Sequence, residues 1–148
     1  MSLVGLPLAH PLSTFYTLAY TFKLTLQRML HLSSCLFATV VAHAFYRRAV
    51  VYHHAFLLLT VSSILFHLTH GEAIRIADKA LAHATFVMVL LDTPKALLAR
   101  APWLLGFPLG VAALWFAQSA QPQLARELHL GVHLLALAGM HAYLRVLY

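Results

Sequence analysis

His129 and His133 stand four residues apart in the run His129-Leu130-Gly131-Val132-His133. On a helix that spacing puts both imidazoles on one face, about one turn apart, where they can bind one metal ion. An upstream group has the same geometry: Ser63 and His67, again four apart, are followed eleven residues later by Asp78. Three neutral histidines with an open fourth position form a catalytic zinc arrangement, in which a water is acidified and a carbonyl polarised. Asp78 would then accept a proton, or orient the water or a ligand imidazole. Ser63 would donate a hydrogen bond to a developing oxyanion. The plainer reading of Ser63 is a hydroxyl bonded to the carbonyl one turn back. For the His129/His133 pair it is chance or helix-to-helix hydrogen bonding.

The elements that carry these groups are apolar. Of the 148 residues 61% are hydrophobic and 9% charged, and the mean hydropathy is +0.80. Soluble domains carry roughly 45–50% apolar and about 25% charged residues, so lipid is the natural surrounding. Asp and Glu total four against ten Lys and Arg, and the first acid is Glu72. The cations sit singly or in one pair between apolar runs rather than in a stripe, which excludes a nucleic-acid partner and suits membrane interfaces and lipid phosphates. Cys35 is the single cysteine, so no intrachain disulfide forms.

Apolar runs divide the chain into residues 1–28, an N-terminal segment read as an interfacial or short spanning helix, and residues 29–148, a transmembrane bundle. Within the second part the runs are Met29–Tyr46, Val50–Leu68, Ala73–Leu91, Pro102–Ser119 and Gln123–Leu147. Each approaches the roughly 20 residues that cross a core of about 30 Å, and nothing alternates with period two. The expected fold is therefore an all-α integral membrane helical bundle with four or five transmembrane helices. Cations divide five against five between the two ends of these runs, which gives no orientation. The acid-free residues 1–35 have the composition of a mitochondrial transit segment, which puts the mitochondrial inner membrane or another organellar membrane among the expected locations.

Topology decides whether the polar groups can meet. The turn at Gly71 reverses the chain, leaving His67 and Asp78 both about 7–9 Å below one membrane surface at 1.5 Å per residue. Two further crossings start the last helix at that same surface, with His129 and His133 roughly 10–16 Å deep. All five residues thus fall in one half of the bilayer. His70, at the turn, is read as solvated or at the mouth of the site.

Ser63-x3-His67, Asp78 on the next helix and His129-x3-His133 on the last resemble the signature of the CREST superfamily of membrane hydrolases. That group includes alkaline ceramidases, progestin/adiponectin-receptor-like proteins and GPI-anchor remodelling lipases. The eleven-residue step from His67 to Asp78 is most similar to the alkaline ceramidase branch. The resemblance implies Zn2+ held by His67, His129 and His133, with Asp78 and Ser63 assisting hydrolysis of an amide or ester bond in a membrane lipid. It also implies seven helices, whereas this chain has room for four or five; a loss of two preserves the parity of the crossings.

Two other functions suit the same residues. One is a non-catalytic subunit of a larger membrane complex, with other membrane subunits completing the bundle and His31, His53 and His54 at interfaces. The other is a bis-histidine haem protein, for which His43, His54, His83, His133 and His141 are candidates.

Overall fold

Proline and glycine mark most of the helix limits. The computed structural model describes residues 11–69 and 71–148; Pro7 and His70 lie outside the described residues. Helix α1 runs from Pro11–Tyr46, α2 covers Val50–Thr69 and α3 covers Glu72–Leu91. A short α4, Thr93–Leu98, has Pro94 in its first turn, where a missing N–H costs nothing. Pro102–Leu105 and Pro122–Leu124 form single 3-10 turns that lead into α5, Gly106–Ala120, and α6, Ala125–Leu147. The described residues thus form an all-α bundle without strands.

Among the described residues four stretches are long and apolar enough to cross a membrane: Tyr16–Tyr46, Val50–Thr69, Pro102–Ala120 and Pro122–Leu147. Helix α3 has the same length as α2 but carries Glu72, Arg75, Asp78 and Lys79 in its first two turns. Glu72 and Arg75 pair with each other at its exposed start, where an acid also suits the helix dipole.

Helix α1 is unbroken through Lys23, Gln27 and Arg28, so residues 11–28 and the run after them are one element. Its 36 residues extend about 54 Å, more than a bilayer core needs. The positions 16–25 are exposed, and inward packing begins at Leu26. The lysine and arginine therefore sit beyond or at the rim of the packed region rather than at a turn.

Helix α1 lies between α2 and α6, α3 packs on the outside of α2, and α5 on the outside of α6. The two ends of this row, α3 and α5, touch only lightly, chiefly through Trp115, which stacks on His83 and meets Phe86 edge-on. Burial splits along the helix axes. Val40, Ala44, Tyr52, Phe56, Val89, Met140, Tyr143 and Leu144 form an apolar core toward the end where α1 meets α2. The buried polar side chains Ser33, Ser34, Ser62, Ser63, His67, Asp78 and His133 gather toward the other.

The apolar end is closed by Asp92, between α3 and α4. Its Oδ2 accepts hydrogen bonds from Tyr52 at 2.6 Å and Tyr148 at 2.9 Å, and its Oδ1 pairs with Lys95 at 2.7 Å. Burial alone would raise this carboxyl, but the hydrogen bonds from Lys95, Tyr52 and Tyr148 outweigh it and hold Asp92 below the ordinary carboxylate range. Hydrogen bonding to Asp92 and Tyr148 raises Lys95 in turn.

Candidate metal centre

The polar end brings together the three histidines picked out by their spacing. His67 comes from the last turn of α2, and His129 and His133 from successive turns of α6. One ligating nitrogen from each lies within 4.8 Å of the other two. Ring centroids are 6.2 Å apart for His67 and His129, 6.0 Å for His67 and His133, and 4.6 Å for His129 and His133. A tetrahedral zinc with Zn–N of about 2.0–2.1 Å would set its ligand nitrogens about 3.3 Å apart, a contraction within reach of imidazole rotation.

The donor set fits a metal on a second count. His129 Nδ1 is buried and has no hydrogen-bond partner among the described residues, a costly state for a polar atom inside a protein. Such groups call for an explanation, and an ion is one. Three imidazoles with no thiolate suit zinc, copper, iron or nickel.

Asp78 and Ser63 lie close by but do not bond each other. Asp78 Oδ1 accepts a hydrogen bond from Ser62 at 2.9 Å, and Ser63 Oγ lies 3.0 Å from Ser34 Oγ on α1. Ser63 therefore bonds across the α1/α2 contact rather than to its own helix. The two serines are one residue apart, so a turn of about 100° points one at α3 and the other at α1.

Helix α1 supplies three groups that no motif pointed to. Ser33 Oγ is 3.0 Å from His133 Nδ1 and Ser34 meets Ser63. His31, expected at an interface, has its ring 5.4 Å from that of His67 and its Nδ1 on the carbonyl of Gln27 at 2.9 Å. Their buried serine pair in an apolar helix was the one available signal.

A cavity lies beside the cluster. Phe37, Phe56, Val89, Val111, Trp115 and Met140 give it a mostly apolar wall. Its polar lining includes Ser63, Asp78, His129 and His133. An apolar chamber thus has the carboxylate, the hydroxyl and two of the three imidazoles on its surface.

His43, His83 and His141 have partners of their own outside this site. His83 Nδ1 bonds the carbonyl of Lys79 at 2.6 Å. His43 and His141 bond each other through their Nδ1 atoms at 2.9 Å with rings stacked 5.1 Å apart, and Thr39 holds His141 Nε2 at 3.0 Å.

No family model, curated protein or solved structure matches the chain.

Proposed function

We propose that this chain is a zinc-dependent membrane hydrolase that cleaves an amide or ester bond of a lipid, ceramidase-like in its chemistry, as the resemblance of its five site residues to the CREST superfamily suggests. The observation that carries the reading is the placing of Asp78, Ser63, His129 and His133 on the wall of one largely apolar cavity. A lipid tail would fill the apolar part and bring its linkage to the polar end. When bound by His67, His129 and His133, zinc supplies Lewis acidity toward a carbonyl oxygen and a water.

The protein's own groups divide the remaining work. Asp78, held by Ser62, takes a proton from water as the water oxygen adds to the carbonyl carbon. It returns that proton to the departing nitrogen or oxygen when the C–N or C–O bond breaks. Ser63 turns its hydroxyl from Ser34 to the carbonyl oxygen, where negative charge develops. The apolar wall keeps bulk water from the tail and strengthens these interactions.

The haem alternative finds less support. His43 and His141 bond each other directly, which leaves no space for a macrocycle between them. The test is hydrolysis of a panel of N-acyl sphingolipids and phospholipids by the purified, zinc-loaded protein. Release of fatty acid that Asp78→Asn abolishes is the expected result. No hydrolysis of any member, with zinc present and the fold intact, would overturn the enzymatic reading and favour a non-catalytic subunit.

A further inference from the structure

We propose that Ser33, on a helix outside the five-residue motif, is a positioning residue for the metal centre: its hydroxyl receives the Nδ1 proton of His133 and so presents the Nε2 lone pair of that ring to the ion. The inference rests on the metal reading above and adds a residue to it.

Proton counting fixes the direction of the bond. A serine hydroxyl has one proton to donate and two lone pairs. Ser33 Oγ donates to the carbonyl of Leu30 at 2.8 Å, an oxygen that can only accept. Its other close partner is His133 Nδ1 at 3.0 Å. With its proton on Leu30, Ser33 can only accept, so Nδ1 of His133 carries the hydrogen. A neutral imidazole has one N–H, which leaves Nε2 as a bare donor atom. Ring orientation is constrained as well, since Phe37 meets His133 edge-on at a centroid distance of 5.6 Å. Both Ser33 and His133 are buried, at 3% and 7% exposure, so water does not compete for the bond.

This is what an outer-shell partner does for a metal-bound histidine: it fixes the tautomer and the plane of the ring, and its loss typically weakens metal binding about 10–100-fold. The partner is usually a carbonyl or carboxylate. A hydroxyl already committed to a backbone carbonyl performs the same task here.

Two variants of equal shape separate positioning from packing. Ser33→Thr keeps the accepting oxygen and Ser33→Val replaces it with a methyl group. Zinc affinity of the purified full chain, measured by competition with a chromophoric chelator, should be within about threefold of wild type for Ser33→Thr and about 10–100-fold weaker for Ser33→Val. In the metal-free protein, 15N shifts of His133 should report the Nδ1–H tautomer, and Ser33→Val should lose that preference. Equal affinity in both variants, or an equal loss in both, overturns the proposal, as does an Nε2–H tautomer in the metal-free wild type. A wild type that takes up no zinc overturns the metal reading itself, and is seen before any variant is made.

Discussion

Asp78 is held by Ser62, 2.9 Å away, and not by Ser63, the serine whose spacing from His67 resembles a catalytic motif. The consequence is a division of labour between adjacent residues of α2. Removing the Ser62 hydroxyl leaves a buried carboxyl oxygen without its donor, which typically costs about 1–3 kcal/mol. Ser62→Ala should therefore lower the thermal unfolding midpoint in detergent, followed by circular dichroism. Ser62→Ala combined with Asp78→Leu should recover part of the loss, because removing both polar partners is cheaper than stranding one. No recovery in the double variant would show that the bond contributes little.

Metal content gives a sharper test of the three-histidine set. His67→Ala and His133→Ala should each reduce zinc to well below one equivalent per chain by elemental analysis. His43→Ala, which removes a histidine outside the cluster, should leave it unchanged. Zinc at 100 times its dissociation constant should stabilise the folded chain by about 2.7 kcal/mol, and a chelator should reverse the gain. Equal zinc in all three variants would exclude the proposed ligands.

Asp92 predicts how the opposite end responds to acid. Its carboxyl lies below the ordinary range in the folded chain, so the unfolded chain binds its proton more readily as pH falls. The stabilisation is complete above the usual carboxylate range, near pH 4, and is lost as pH drops through the lowered folded value. Asp92→Asn should remove this part of the acid dependence and lower stability at neutral pH by about 1.5–3 kcal/mol, the scale of a hydrogen bond to a charged group. Urea unfolding at pH 7 and pH 3 measures both. A pH difference that is the same in Asp92→Asn and wild type would count against the role.

What could be read from the sequence follows from periodicity. The helices come from apolar runs and prolines, and the meeting of His67, His129 and His133 follows from four-residue spacing plus the parity of crossings. The spacing brings Asp78 near the His67 end of α2 but does not name its partner, because a single residue step on α2 changes the neighbour from α1 to α3. The part played by α1 was hidden for a different reason. Ser33 and Ser34 have no fixed spacing to the histidines, and their importance depends on α1 lying between α2 and α6, a lateral arrangement that hydropathy does not encode. The continuity of α1 is obscured by Lys23 and Arg28, which resemble a boundary, although Lys23 lies where the helix stands clear of the bundle and Arg28 at the bundle's rim.

Two glycines at the α5/α6 contact allow close approach but should differ in their response to substitution. A Cβ at Gly110 would lie 2.5 Å from Leu135 Cδ2, with the next atom of that side chain at 3.7 Å. The obstruction is the tip of a flexible chain, and a new rotamer relieves it. A Cβ at Gly139 would lie 2.7 Å from Phe107 Cβ and 2.8 Å from its Cγ. Phe107 Cβ is fixed to the backbone of α5, so relief there requires the helix itself to move. Gly139→Ala should cost about 1–3 kcal/mol, the usual range for overpacking, while Gly110→Ala should be close to neutral. Because Gly139 and Phe107 both line the cavity, a displaced α5 should also alter binding of an apolar probe. Compensation apportions the cause: Phe107→Ala removes the Cγ contact but keeps the Cβ and should rescue Gly139→Ala in part, whereas Phe107→Gly removes both. A coupling energy of about 0.5–3 kcal/mol that is larger in the Phe107→Gly pair would establish backbone proximity as the constraint, and equal coupling in both pairs would place the clash in the ring instead.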